Sequence, residues 1–258
     1  MNYLLAIDIG NTNTVIGIMK DGVVLHSWRI TTGNLQTVDE LGILVLELLR
    51  NRGYQTADIR HVGICSVVPD VTTIYQAVAT TYIGRESFTV GHHLDLGIKI
   101  IYDDPRAVGA DRLANVIAAM HRFGGPGVVI DLGTATTFDV YNDKGDYLGG
   151  VISPGIETSA LSLHRRAAKL PRINLELPDT IIAKNTTAAM QNGILLGSLK
   201  SAEGIIGEIQ KEFDQPLKLT ITGGFSTFIR SHSVLSMEQV PDLVLEGVYR
   251  IGHRLGYC

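Results

Sequence analysis

Leu4–Ile18 reads LLAIDIGNTNTVIGI. An apolar run of strand character breaks at Asp8-Ile9-Gly10-Asn11-Thr12 and resumes as a second β-branched run through Ile18. A run, a polar turn and a run predict a hairpin. The turn carries a carboxylate, a glycine and a series of short hydroxyl and amide side chains, with no Lys or Arg. Gly10 permits a close backbone approach. Asn11, Thr12, Asn13 and Thr14 offer short donors beside their own N–H groups. This set suits a phosphate tail, with Asp8 placed to hold a hydrated divalent cation against it. It also suits a polar hairpin turn in which Asp and Asn satisfy their own backbone.

The same pattern returns later in the chain. Val128–Tyr141 reads VVIDLGTATTFDVY, and a slide of 123 positions (131 − 8) places Asp131 on Asp8, Gly133 on Gly10 and Thr137 on Thr14. Gly145 then falls on Gly22 and Leu148 on Leu25. A period of nearly half the chain means a duplicated domain rather than a solenoid. The glycine cluster Gly124-Gly125-Pro126-Gly127 marks the boundary, giving domains 1–122 and 123–258.

The remaining segments alternate in type. Val23–Ile30 reads as a third strand. Thr37-Val38-Asp39-Glu40 is a capping box, and Leu41, Leu44, Val45 and Leu48 follow at helical spacing, so a helix runs to about Gly53. Ile59–Val68 reads as a buried strand stopped by Pro69, Asp70 as the cap of a helix through about Ile83, and Phe88–Val90 as a short strand. Ile101–Arg106 is irregular, and a helix opens at Gly109-Ala110-Asp111-Arg112. In the second half, Ser153-Pro154-Gly155 opens a helix, Asn185-Thr186-Thr187 starts a long one through about Phe213, Leu217–Thr222 is a strand and Asp242 caps a C-terminal helix. Gly193 and Gly197 lie one turn apart on the long helix, which predicts a helix–helix contact. The order predicts an α/β protein with largely parallel sheets and right-handed crossovers.

Composition narrows the classes. The 258 residues allow two moderate domains, and a formal charge of −4 gives no general polyanion-binding surface, so nucleic acid is not an expected partner. Cys65 and Cys258 form neither a CxxC pair nor a disulfide framework, which fits a reducing compartment. His92-His93 reads as a surface loop. No apolar run reaches the roughly 18 residues of a membrane span, and the start of the chain leaves no room for a signal peptide. The expectation is a cytoplasmic protein without membrane contact.

Two domains that each open on such a turn resemble the superfamily of sugar kinases, actin and heat-shock chaperone ATPases. The resemblance implies duplicated ribonuclease-H-like domains, an actin-like ATPase fold, with a nucleotide cleft between them. Asp8–Thr14 matches the first phosphate motif, Asp131–Thr137 the second and Thr222-Gly223-Gly224 the adenosine motif. There is no GxxxxGK[ST], which excludes a P-loop on the motif. More narrowly, DIGNTNT, GADR at Gly109–Arg112, DLGTATTFD at Asp131–Asp139, SPGI at Ser153–Ile156, Leu170-Pro171, Asn185-Thr186 and Met190-Gln191-Asn192-Gly193 resemble type III pantothenate kinase across essentially the whole chain.

That resemblance implies phosphoryl transfer from ATP, with Mg²⁺, to the primary hydroxyl of pantothenate, the first step toward coenzyme A. It implies ATP contacts from Asp8, Ile9, Gly10, Asn11, Thr12, Asn13, Thr14, Val15 and Thr134. Asp111 is implied as general base, with substrate contacts from Tyr102, Gly109, Ala110, Asp111, Arg112 and Thr186. It also implies a monovalent cation, K⁺ or NH₄⁺, at Asp131, and a homodimer. For several of these residues a simpler role stays open: Asp111 as a helix cap, Tyr102 as a half-buried loop aromatic, Thr186 as a helix N-cap and Asp131 as a second Mg²⁺-orienting carboxylate. A nucleotide-binding accessory regulator and a kinase for another small alcohol are the competing functions.

Overall fold

The computed structural model describes residues 2–33 and 36–257. Met1 and Cys258, on which the readings of the chain start and of cysteine use partly fall, lie outside the described residues. The chain divides into two compact units, each built on a five-stranded mixed sheet.

Unit 1 contains β1 (Tyr3–Ile9), β2 (Asn13–Lys20), β3 (Val23–Thr31), α1 (Val38–Arg50), β4 (Ile59–Ser66), α2 (Pro69–Val78), β5 (Ser87–Thr89) and α3 (Ala110–Phe123). Its sheet order is β3-β2-β1-β4-β5. The opening stretch forms the expected hairpin, β1 antiparallel to β2, while β4 lies parallel to β1. Apolar residues on one sheet face, among them Leu5, Ile7, Ile9, Ile16 and Ile64, pack against Leu41, Val45, Val71 and Tyr75 of α1 and α2. The capping box is formed: Glu40 N–H donates to Thr37 Oγ1 at 3.2 Å and Thr37 N–H to Glu40 Oε2 at 2.7 Å.

Unit 2 contains β6 (Gly127–Leu132), β7 (Ala135–Tyr141), β8 (Tyr147–Pro154, whose first residue groups with unit 1), α4 (Ile156–Arg166), α5 (Thr186–Gln210), β9 (Lys218–Gly223), α6 (Ser226–His232) and β10 (Glu238–Gln239). The sheet order, β10-β9-β6-β7-β8, is that of unit 1 with each strand replaced by its counterpart. The repeat read at a spacing of 123 residues is therefore a repeat of topology, and the expected ribonuclease-H-like duplication holds. Even the register repeats: Asp8 lies opposite Cys65 on the neighbouring parallel strand, and Asp131 opposite Thr222.

The last helix, α7 (Leu243–Arg254), departs from the expected halves. The chain from Asp242 onward, with Gly145–Tyr147, belongs to unit 1 rather than to a domain 123–258. The cause is apolar burial. Leu243, Leu245, Val248 and Ile251 of α7 are fully buried, and Val248 packs over Gly63 of β4. At Gly247 the helix meets α3 backbone to backbone: a β-carbon there would lie 2.1 Å from the Ala114 carbonyl oxygen.

Smaller expectations also change. Asp70 is not a cap: Pro69 occupies the first turn of α2 and Val68 precedes it, since proline's fixed φ suits that position. Asp242 stands at the start of α7 without capping it, and Ser27 Oγ donates to its carboxylate at 3.5 Å. Gly193 and Gly197 are exposed and nothing lies within 4 Å of a β-carbon at either, so no contact among the described residues needs their small size. They line a groove of about 700 Å³ beside Thr158 and Ser162 of α4.

Candidate functional site

In unit 1 the turn Gly10–Thr12 is braced from behind. Gly10 N–H donates to the Asn13 carbonyl at 3.1 Å, and Thr32 N–H to the Thr12 carbonyl at 2.9 Å. Thr32 Oγ1 donates to the Gly10 carbonyl at 2.7 Å and bonds Thr14 Oγ1 at 2.9 Å. Asn11 and Thr12 are exposed and Asn13 half-buried, whereas Ile9, Thr14 and Val15 bury their side chains. The Thr14 hydroxyl is thus spent on the turn itself, bonded to Thr32 and to buried Tyr75, whose hydroxyl burial pushes up to about 12. The predicted ATP residues divide accordingly. Asn11, Thr12 and Asn13 offer side chains, and Ile9, Thr14 and Val15 offer only backbone.

Asp8 closes β1 at half exposure, directly across from Cys65 at the end of β4. Cys65 is fully buried, and burial, reinforced by the charges of Asp8 and Asp111, pushes its thiol well above the ordinary range. A thiol so raised stays protonated and is no nucleophile. Its environment places Asp8 and Asp111 within electrostatic reach of one sulfur, although they lie more than a hundred positions apart in sequence. The carboxyl ends of parallel strands are where open α/β sheets bind ligands.

The predicted Gly109–Arg112 group opens α3 at this end. Gly109 precedes the helix and its carbonyl accepts from Leu113 N–H at 3.3 Å. Asp111 is the second helical residue rather than the cap, and its carboxylate folds back to accept the Arg112 N–H at 2.8 Å. That fold needs glycine at 109, where a β-carbon would lie 2.5 Å from Asp111 Oδ1. Burial pushes the Asp111 carboxyl above its ordinary value, against the pull of the Arg112 N–H and guanidinium. A carboxylate with raised proton affinity at a strand-end site is suited to accept a proton.

Arg112 is 8% exposed, and its guanidinium lies over the Tyr147 ring, 5.7 Å from the centroid. Tyr102, 41% exposed, sets its ring edge against Tyr147 with centroids 6.1 Å apart. The segment read as irregular is pinned by backbone: Ile101 N–H donates to the Tyr147 carbonyl and Tyr147 N–H to the Lys99 carbonyl, both at 2.8 Å. Unit 1 therefore brings Tyr102 and Arg112, the latter next to Asp111, together on Tyr147, a residue that no sequence motif signalled.

Unit 2 assembles a second set. Thr134 is exposed, and its carbonyl accepts from Gly155 N–H at 3.2 Å and from Thr158 Oγ1 at 2.6 Å. The Ser153–Ile156 turn can lie on the Gly133–Thr134 turn only because Gly155 lacks a β-carbon, which would sit 2.3 Å from the Gly133 carbonyl oxygen. Gly224 N–H donates to the Leu132 carbonyl at 3.1 Å, so the Thr222-Gly223-Gly224 turn joins the same strand end. Asp131 is half-buried there, and Thr158 is the member that sequence did not signal. Thr186 is exposed at the first position of α5; the cap is Asn185, whose side chain accepts the Ala188 N–H at 2.9 Å.

Comparison with known proteins decides the family. The family model of type III pantothenate kinase matches residues 4–208. The chain belongs to this family. Solved structures of low identity share the fold. A Baf family transcriptional activator from Campylobacter jejuni aligns with a TM-score of 0.62 at 18% identity, covering 98% of this chain and 100% of that one. The activator of 2-hydroxyisocaproyl-CoA dehydratase from Clostridium difficile aligns at 0.55 and 12%, with 98% and 96% covered. A ROK hexokinase from Thermus thermophilus aligns at 0.54 and 13%, with 98% and 99% covered. As a member of a kinase family, the protein uses ATP with a divalent metal. Among the described residues no three His, Cys, Asp or Glu side chains form a metal cage. Asp8, half-exposed near the end of β1 beside the Gly10–Thr12 turn, fits Mg²⁺ in a kinase, where one or two carboxylates, waters and the phosphates supply the ligands. No helix among the described residues is long and apolar enough to cross a membrane.

Proposed function

We propose that this kinase phosphorylates pantothenate, giving 4'-phosphopantothenate and ADP. The observation that carries the reading is the Asp111 carboxylate, raised in proton affinity by burial and sharing the surroundings of Cys65 with Asp8. Phosphoryl transfer asks for positioning, charge neutralisation and an acceptor for the hydroxyl proton. Asp111 takes that proton as the substrate oxygen bonds to the γ-phosphorus and the bond to the ADP oxygen breaks. Asp8 orients the metal-bound phosphates, and residues 9–15 and Thr134 contact ATP. Bound Mg²⁺ supplies neutralisation of phosphate charge. Arg112, with Tyr102, Gly109, Ala110 and Thr186, binds pantothenate, the guanidinium engaging its carboxylate.

Asp131 is proposed to hold K⁺ or NH₄⁺; a half-buried single carboxylate suits a weakly bound monovalent ion. ADP formation by purified protein, with and without pantothenate and in K⁺ then Na⁺ buffer, tests both assignments. Pantothenate-dependent ADP in K⁺ and much less in Na⁺ is expected. No pantothenate dependence in either salt would overturn the substrate, and equal rates in both would overturn the cation.

A homodimer is proposed as well. Val151 and Ile152 of β8 and Leu161 and Leu163 of α4 are exposed apolar side chains within unit 2, surface that association of two copies would take out of water. Light scattering should give about twice the 28.0 kDa chain mass; a monomer at micromolar concentration overturns it. Two other readings compete. The likeness to a described transcriptional activator favours an accessory regulator, and the likeness to a hexokinase favours another alcohol as acceptor. A regulator needs no base, so it would tolerate loss of the Asp111 carboxylate, and another acceptor would replace pantothenate in the ADP assay.

A further inference from the structure

Tyr147 stands apart from every residue given a role above, yet it touches two of them. Its side chain is fully buried. One face carries the Arg112 guanidinium at 5.7 Å and the ring meets the edge of Tyr102 at 6.1 Å. Its backbone is fixed from both sides, by Ile101 N–H on its carbonyl and the Lys99 carbonyl on its N–H. The neighbouring Asp146 carboxylate accepts the Lys99 N–H at 2.9 Å, which pins the same segment again.

We propose that Tyr147 is a positioning residue for recognition of the substrate carboxylate, holding Arg112 by its face and Tyr102 by its edge. The inference rests on the reading of Arg112 as the carboxylate contact. A buried guanidinium is weakly hydrated and planar, so an aromatic face supports it without consuming the in-plane N–H donors. Those in-plane donors are the ones that match a carboxylate bidentately. An aliphatic side chain in place of Tyr147 would leave the buried guanidinium with no ring quadrupole beneath it. Tyr102 would also lose the ring that sets its angle.

The test compares Tyr147→Phe, Tyr147→Leu and, as a second ring-free variant of similar volume, Tyr147→Met. Steady-state kinetics are read with pantothenate and with its neutral analogue, in which CH₂OH replaces the carboxylate. Tyr147→Phe keeps the ring and should keep the wild-type ratio of KM for pantothenate to KM for the neutral analogue. The Leu and Met variants should raise KM for pantothenate about thirtyfold, the size of a desolvated cation–π contact. Their KM for ATP should not move, and KM for the neutral analogue should change by less than about twofold. A purely structural role would weaken both acceptors alike. Equal losses for the two acceptors, or no loss in a folded Leu or Met variant, would overturn the proposal while leaving pantothenate kinase activity standing. A wild-type protein that makes no ADP with pantothenate would instead overturn the function, and this inference with it.

Discussion

Asp111→Asn is expected to lower kcat by about 10²–10⁴-fold, the usual cost of removing a positioned base, with ATP affinity largely retained. Asparagine preserves the shape of the side chain and an acceptor for the Arg112 N–H, so the fold-back over Gly109 survives. It cannot take the hydroxyl proton. Turnover and nucleotide binding measured on the same sample separate the two. Near-full activity in the variant would remove Asp111 from the mechanism and favour the regulatory reading.

The same carboxyl gives a pH signature whose sign is fixed. Burial raises its proton affinity in the folded chain, so protonation disables the base at a pH above the ordinary aspartate range. Activity should fall as pH drops through that raised value. Stability runs the other way. A group whose folded value is raised contributes stability below its unfolded value and loses it as pH rises through the folded one. Once ionised, Asp111 therefore costs stability, and above the pH of that ionisation Asp111→Asn should melt no lower than wild type. The difference should narrow in acid, where the carboxyl is protonated anyway. An inactive variant that melts at or above wild type shows that catalysis, not folding, was lost; one melting well below it would tie the lost activity to folding.

Local chemistry made the duplicated hairpin legible. Asp8 and Asp131 each end an apolar run and each precedes a glycine two positions on, and a short unbroken apolar run bounded by a turn reads as a strand buried on both faces. The repeat showed that the second half copies the first, and the Thr37–Glu40 box marked a helix start that needs no tertiary help. What escaped was long-range. Tyr147 reads as one aromatic in a strand, and only backbone pairing with residues 99–101 brings it under Arg112. Cys65 reads as an inert core thiol until the β1–β4 register sets it opposite Asp8. Thr158 became visible only when Gly155 folded the next helix onto Thr134. The helix from Leu243 was assigned to the nearer half because amphipathic periodicity says that a face is buried and not against what.

That last misassignment carries the second large effect, expected for Gly247→Ala. In an exposed helix interior this exchange stabilises, by roughly 0.5–1 kcal/mol. Gly204 of α5, exposed with nothing within 4 Å of a β-carbon, should behave so. At Gly247 the added methyl would lie 2.1 Å from the Ala114 carbonyl oxygen and 2.5 Å from its carbon. These are backbone atoms of a helix, so no rotamer relieves the overlap and α7 and α3 must move apart. Overpacking of this kind costs about 1–3 kcal/mol and sometimes more, or roughly 2–12 °C in Tm at this chain length. The separation also reaches the site. Ala114 lies three residues beyond Asp111 on α3, and the Arg122–Glu246 pair at 2.8 Å ties the far end of α3 to the same partner. Gly247→Ala should therefore lose activity at temperatures where it is still folded, while Gly204→Ala gains stability and keeps its rate. Calorimetry paired with ADP formation checks both. Parallel behaviour of the two alanine variants would mean that α7 does not hold α3, and with it Asp111, in place.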